Sequence, residues 1–205
     1  MPRHNWPTDP VQLVQPFEAR HANPDAGALL LWAAWCVDCL HYVDDIDYEY
    51  DVSHSVIGGH NPDIADVSHA RWATGTSITA LDLCAAGLGR ALCDHTSTRE
   101  LAMPDFDPSS SSSRSNTLRT ALPATARQWV DGVFADQRYA DIKAARNWLT
   151  HSRMRRHFTL AAGGPPQRLE LTIGAARVGV RDIVQSSRDL ATHQVFALLT
   201  LLPSL

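Results

Sequence analysis

The sequence lacks the features of membrane-spanning, exported and disulfide-rich proteins. Among its 205 residues no apolar run approaches the roughly 18 residues that a membrane span needs, and the longest cover 26–35 and 195–202. The opening MPRHNWPTDP has no apolar core of the signal-peptide type. Four cysteines are too few for a disulfide framework in a chain of this length. We therefore expect a cytoplasmic protein that does not associate with membranes.

Lysine is nearly absent, and the charge is unevenly placed along the chain. Lys143 is the only lysine among 18 Lys and Arg residues. Residues 1–100 hold 14 acidic and 5 basic residues, a net charge of −9, whereas residues 101–205 hold 8 acidic and 13 basic residues, a net charge of +5. This asymmetry suits either a basic surface for an anionic ligand or two halves of opposite charge that attract each other.

The apolar pattern predicts a mainly α fold, a bundle of four to five helices in which residues 1–205 form one domain. An apolar fraction of 44% with 20% charged residues fits a globular protein with a core and excludes a disordered chain. Apolar residues recur in steps of three and four, which is the helical spacing. The predicted helices cover 11–20, 26–53, 77–92, 123 to about 153 with a break near Asp136, and 180–202.

The two longest predicted helices should pack against each other. The apolar stripe of the first is Leu29, Trp32, Cys36, Leu40, Val43, Ile46 and Tyr50, and that of the second includes Ile78, Leu81 and Leu88. Two departures from a plain bundle are also predicted. The Ser-rich residues 103–117 indicate a mobile surface loop. Strands at 157–161 and 168–173, joined by a turn rich in Gly and Pro, indicate a small β-hairpin before the last helix.

Trp35-Cys36-Val37-Asp38-Cys39 is similar to the redox motif of the thioredoxin family, where it follows a strand and opens a helix. A thiol redox protein using Cys36 and Cys39 is therefore one hypothesis. The helical pattern on both sides favours another, in which the two cysteines are small apolar residues of a core helix. A zinc site that adds Cys84 and Cys93 is disfavoured because their nine-residue offset is not a ligand-pair spacing.

An acidic stripe runs along the first long helix. Its members His41, Asp44, Asp47, Asp51 and His54 step by three and four residues, so one helix face can present them together. Carboxylates and imidazoles at these offsets can bind a metal, but no second helix offers a matching set. A solvated face is the favoured interpretation, and we expect neither a metal nor a cofactor. The same face could also meet a basic surface of this chain or of a second copy.

The most specific pattern is Arg146-Asn147-Trp148-Leu149-Thr150-His151. An Arg followed five residues later by His is common here, since Arg90/His95 and Arg188/His193 share the spacing. Only at 146–151 does Asn follow the Arg, and the chance expectation for that combination is about 0.02. Asn147 and His151 lie four residues apart on one helix face, with Arg146 about 100° away.

The residue types of this segment suit the cleavage of RNA. An imidazole that titrates near neutrality can take a proton from a ribose 2′-OH or return one to the leaving 5′-oxygen. A guanidinium can hold a phosphate as charge builds on it. From 143 to 157 there are five basic residues and no acidic one, which suits a phosphate backbone: Lys143, Arg146, Arg153, Arg155 and Arg156.

An Arg-Asn-x-x-x-His motif on a late helix of a bundle resembles the HEPN superfamily. The resemblance implies a metal-independent endoribonuclease with Arg146, Asn147 and His151 as catalytic residues, paired across a homodimer and yielding a 2′,3′-cyclic phosphate. It further implies Lys143, Arg153, Arg155 and Arg156 as RNA-binding residues, and a toxin–antitoxin or defence setting with a cognate antitoxin or regulator. Other members have lost catalysis, so a module that binds nucleic acid, a nucleotide or a protein is the alternative.

A purely structural role for the motif is also open. Basic residues near a helix C-terminus are favoured by the helix dipole alone, and Arg146 could pair with Asp141. A catalytic His151 needs an acidic residue to orient it, and the sequence offers three candidates: Asp131, Asp136 and Asp141.

Overall fold

The computed structural model describes residues 4–54, 62–93, 101–151, 170–173 and 176–205, and its side chains except in 43–54, 62–67, 170–177 and 180–181. The described ranges form seven α-helices, two 3-10 helices and one two-stranded sheet. The α-helices are α1 (Pro10–His21), α2 (Pro24–His54), α3 (Pro62–Leu92), α4 (Ser113–Ala121), α5 (Ala124–Ala135), α6 (Gln137–His151) and α7 (Val180–Leu201). The strands are β1 (Glu170–Ile173) and β2 (Ala176–Gly179), and the 3-10 helices are Met103–Phe106 and Leu202–Ser204. In these ranges no helix has the length and apolar character that crossing a membrane requires.

The helical bundle that the sequence predicts is confirmed. Helices α2 and α3 pack along each other, and α3 also contacts α6 and α7, so α3 is central to the bundle. The helices are more numerous than the four to five expected because α4 begins within the predicted loop and the predicted helix from 123 is divided at Asp136. Pro123 has no N–H to continue α4, and α5 starts directly after it. Asp136 is extended and its Oδ1 accepts the backbone N–H of Arg138 at 3.0 Å, which starts α6 and confirms the predicted break.

The buried face of α2 differs from the predicted stripe. Cys36 and Leu40 are buried as expected, and so are Ile78, Leu81 and Leu88 of α3. Trp32, which was expected in the core, is 64% exposed, so that prediction is wrong. The core positions of α2 are instead Leu30, Ala33, Ala34 and Val37. The predicted stripe residues Val43, Ile46 and Tyr50 lie outside the described side chains.

Leu30, and not Trp32, is the large side chain of α2 that packs against α3 at Gly87. The helices approach so closely that a Cβ added to Gly87 would lie 2.9 Å from Cγ of Leu30 and 3.2 Å from the carbonyl oxygen of Ala26. Leu30 packs into the space left by the missing side chain of Gly87, and Trp32, two residues further along α2, points outward.

The predicted loop at 103–117 is found only in part: residues 107–112 are non-helical, whereas 103–106 form a 3-10 helix and 113–117 begin α4. Met103 and Phe106, in the first 3-10 helix, are fully buried. The serine run supplies the start of α4, because Oγ of Ser112 accepts the backbone N–H of Ser115 at 3.0 Å. Serine favours such N-cap positions, so the same composition that indicates a loop also suits a helix start.

The predicted hairpin is present with a different partner strand. β1 confirms the strand expected at 168–173 and pairs antiparallel with β2, Glu170 opposite Gly179 and Ile173 opposite Ala176. β2 was not predicted, and it leads directly into α7. The other expected strand, at 157–161, and the turn at 162–166 lie outside the described residues.

Candidate functional site

The Arg146–His151 motif occupies the outer face of α6, at its C-terminal end. The inner face of α6 buries Tyr139, Ile142, Ala145 and Leu149 in steps of three and four residues. The side chains of Arg146, Asn147 and His151 are exposed, and α6 ends at His151. Trp148 is half-buried and packs against the core. The motif is therefore displayed on the surface by a helix that is anchored on its opposite face.

The three candidate carboxylates for orienting His151 are all engaged elsewhere. Asp131 accepts a hydrogen bond from Arg119 at 2.7 Å, Asp136 from Arg138 at 2.6 Å, and Asp141 from Gln137 at 2.9 Å. The bond from Arg138 lowers the pKa of Asp136. Within the described residues no carboxylate bonds to the imidazole of His151, so the expected orienting group is not found among these three.

A half-buried carboxylate of α3, that of Asp82, lies within electrostatic range of two cations of α6. Oδ1 of Asp82 accepts the backbone N–H of Met103 at 2.9 Å. Burial raises the pKa of Asp82, while the Met103 N–H and the positive charges of Arg146 and Lys143 oppose that rise. Asp82 therefore lies in the electrostatic field of two predicted site residues. The signal in the sequence is a single acid between apolar neighbours, Leu81 and Leu83, on a helix that is otherwise mostly apolar.

Lys143 is held against an aromatic ring. Its Nζ lies 5.7 Å from the centroid of the Tyr139 ring, which is a cation–π distance. Tyr139 is buried, and burial is the main reason that its pKa is raised. The phenol therefore stays protonated at neutral pH and does not act as a nucleophile. Lys143 is half-exposed, so it can still contribute positive charge next to Arg146.

A second arginine from α3 reaches the same end of α6. Nη2 of Arg71 donates to the carbonyl oxygen of Leu149 at 2.6 Å, two residues before His151. Arg71 is exposed. Nothing in the sequence points to it, since it lies in the acidic half and far from the motif along the chain. The fold alone brings it to the site.

The remaining predicted RNA-binding residues, Arg153, Arg155 and Arg156, lie outside the described residues. Of the two other Arg/His pairs with the same spacing, His95 also lies outside them. His193 is exposed on α7 and lines a groove of about 750 Å³ between α5 and α7. The arginine of this pair, Arg188, contacts Gln185 and Asp189 on its own helix. The Arg188/His193 pair therefore does not repeat the arrangement on α6.

The cysteines do not form a thioredoxin-type site. Cys36 and Cys39 lie well inside α2, which begins at Pro24, so neither a preceding strand nor a helix N-terminus is present at the motif. Burial, with a smaller contribution from Cys39, raises the pKa of Cys36 to about 11, and burial also raises the pKa of Cys39. Cys36, Cys39 and Cys84 are free thiols. The structure contradicts the arrangement on which the redox hypothesis rests.

The aspartate between these cysteines has a structural role. Oδ1 of Asp38 accepts hydrogen bonds from the indole of Trp6 and from the backbone N–H of His4. His41 stacks on His4 with ring centroids 4.0 Å apart and bonds through Nε2 to Oγ1 of Thr192 at 2.9 Å. His41 is thus packed between the N-terminal segment and α7, and its expected place on a solvated stripe is wrong.

The rest of the acidic stripe is not described at the side-chain level. Asp44, Asp47, Asp51 and His54 belong to α2, but their side chains lie outside the described set. Among the residues whose side chains are described, no group of three or more His, Cys, Asp or Glu side chains is placed to hold a metal ion.

Comparison of the chain with protein-family models, with curated proteins and with solved structures finds no match. Function is therefore inferred from the side chains that α3 and α6 display.

Proposed function

We propose that this protein is a metal-independent endoribonuclease of HEPN type that works as a homodimer. The observation that carries the proposal is the exposed set of Arg146, Asn147 and His151 at the end of α6. Three polar groups suited to phosphate binding and proton transfer share one surface, while the opposite face of the same helix is fixed in the core.

The chemistry follows from the groups present. His151 takes the proton of a ribose 2′-OH, and the 2′-oxygen attacks the adjacent phosphorus. The bond from phosphorus to the 5′-oxygen breaks, and that oxygen receives a proton from the His151 of the second copy. Arg146 bears the charge that develops on the phosphoryl oxygens, and Asn147 donates a hydrogen bond to the same group. The products are a 2′,3′-cyclic phosphate and a 5′-hydroxyl.

A second copy would supply the cleft that one exposed helix face lacks. A charge in bulk water is strongly screened, and electrostatic stabilisation of a transition state needs a cleft from which water is excluded. A two-fold arrangement that brings two α6 ends together would make such a cleft and place two sets of Arg146 and His151 around one phosphodiester. In a toxin–antitoxin or defence setting, a cognate antitoxin or regulator would silence the site by covering this surface.

The test is the cleavage of single-stranded RNA in the presence of EDTA, followed by analysis of the product ends. The proposal expects cutting that EDTA does not inhibit and fragments that end in a 2′,3′-cyclic phosphate. Cutting that EDTA abolishes, or fragments that end in a 3′-hydroxyl, contradict the mechanism.

The second candidate function is a non-catalytic module that binds RNA. The observation that favours it is that, in the described residues, His151 bonds to no carboxylate, so nothing described fixes the tautomer and orientation a general base needs. Binding of RNA with a steep salt dependence but without cleavage supports this candidate over the nuclease.

A further inference from the structure

The C-terminal end of α6 is an unusual place for a phosphate to bind. The last carbonyl groups of a helix have no partner within the helix, and together they carry a partial negative charge of about half an elementary charge. Arg146, Asn147 and His151 all lie in the last two turns of α6. The described part of α6 ends at His151, so the motif lies towards the negative end of the helix dipole, where an additional cation favours the binding of a phosphodiester.

Arg71 is placed to offset that charge. Its Nη2 donates to the carbonyl oxygen of Leu149, one of the carbonyls in the last turn of α6, at 2.6 Å. The contact engages only part of a guanidinium that has five N–H donors, and the side chain is exposed. The hydrogen bond also fixes the position of the guanidinium, which lowers the entropy lost when a ligand binds to it.

We propose that Arg71 is a phosphate-binding residue of the α6 site, contributed by α3, and that it holds the RNA backbone beside His151. This inference rests on the proposed function. Arg146 and Arg71 then contact the phosphodiester chain from two different helices, so the site is a surface formed by α3 and α6.

A purely structural role for Arg71 makes different predictions, and Arg127 provides the matched control. Nη2 of Arg127 donates to the carbonyl oxygen of Leu122 at 3.0 Å and to that of Thr120 at 3.4 Å, so it binds carbonyls at the end of α4 as Arg71 does at the end of α6. Substitution of either arginine by glutamine removes a charge and a helix-end contact. Only Arg71→Gln removes this charge and contact close to the Arg146–His151 motif.

The experiment measures the binding of a fluorescently labelled single-stranded RNA of mixed sequence over a range of salt concentrations. The proteins are the full chain with His151→Ala, to prevent cutting, alone and combined with Arg71→Gln, Arg71→Lys or Arg127→Gln. Arg71→Gln should weaken binding about tenfold at low salt, and the slope of log Kd against log salt should fall by about 0.7. Arg71→Lys should retain the slope, and Arg127→Gln should change neither quantity.

Each outcome decides the inference. If the parent protein binds RNA and Arg71→Gln leaves affinity and slope unchanged, Arg71 only caps α6, and the proposed function survives without it. If Arg127→Gln has the same effect as Arg71→Gln, the effect is general and the inference fails. If the parent neither binds nor cuts RNA, the proposed function fails and takes the inference with it.

A second measurement covers the case in which Arg71→Gln does not fold. Phenylglyoxal modifies exposed arginines, and mass spectrometry of the protein with native Arg71 locates the modified positions. RNA should protect Arg71 and leave Arg127 unaffected. Modification of Arg71 at the same rate with and without saturating RNA overturns the proposal.

Discussion

The indole N–H of Trp6 donates to Oδ1 of Asp38 at 2.8 Å, and the same oxygen accepts the backbone N–H of His4 at 3.1 Å. One carboxylate oxygen of α2 therefore fastens the N-terminal segment to the bundle. Asp38 lies within a Cys-x-x-Cys pattern that suggests redox chemistry in the sequence. In the structure its side chain binds the N-terminal segment to α2.

We expect Asp38→Ala to destabilise the protein by about 1–3 kcal/mol, since each of the two hydrogen bonds contributes about 0.5–1.5 kcal/mol net. Urea denaturation followed by circular dichroism measures the change. Asp38→Asn is the matched variant, because its Oδ1 can still accept both bonds, and it should retain most of the stability. Equal losses in the two variants would show that the negative charge matters and the hydrogen bonds do not.

Cys36 should be unreactive at neutral pH. Its pKa is raised to about 11 from an ordinary value of 9.0, so the native protein keeps its proton where the unfolded chain has lost it. Stability from this group is complete below about pH 9 and declines as the pH rises towards 11. Denaturation at several pH values should show a smaller decline in Cys36→Ala than in the native sequence. Rapid alkylation of native Cys36 below pH 7 would refute a buried, protonated thiol.

His151→Ala should abolish metal-independent RNA cleavage and leave the fold intact. The side chain is exposed and contributes little to packing, whereas proton transfer is typically worth about 10²–10⁴ in rate. His193→Ala is the control, because His193 is also exposed and follows an arginine by five residues on another helix. Cleavage rates and melting temperatures are measured together. Similar loss of activity in both variants would indicate destabilisation and count against a catalytic His151.

Two glycines of α3 should respond in opposite directions to alanine. At Gly87 the new Cβ would lie 2.9 Å from Leu30 and 3.2 Å from a backbone oxygen, so Gly87→Ala should destabilise by about 1–3 kcal/mol. A Cβ added at Gly75 would have no described neighbouring group within 4 Å. Gly75→Ala should therefore stabilise the protein by about 0.5–1 kcal/mol through helix propensity. Thermal denaturation of both variants is the measurement, and stabilisation by Gly87→Ala would contradict the close packing of α2 on α3.

The helices could be predicted from the sequence because their spacing is local, whereas the choice of buried face could not. Residues 26–37 of α2 are apolar all round, so periodicity does not separate Trp32 from Leu30. The separation comes from another helix, because Leu30 packs closely against Gly87 of α3. Burial of Met103 and Phe106 likewise depends on partners distant in sequence, and the adjoining serines obscured it.

The same distinction applies to the candidate site. Arg146, Asn147 and His151 are adjacent in sequence, and helical geometry alone predicts that they share a surface. Arg71 of α3 contacts the carbonyl of Leu149, and Asp82 of α3 lies within electrostatic range of Arg146, so only the packing of α3 on α6 reveals them. Both residues lie far from the motif along the chain, so the sequence alone gives no reason to associate them with it.

The outward orientation of Trp32 and Trp35 gives the protein a built-in optical probe of one surface. These indoles are 64% and 60% exposed on α2, whereas Trp129 is buried with its N–H bonded to the carbonyl oxygen of Gln194. Water-exposed indoles emit at longer wavelengths and are accessible to collisional quenchers. Trp72 of α3 is also 37% exposed, so in a Trp72→Phe variant the long-wavelength emission reports whether another molecule covers α2.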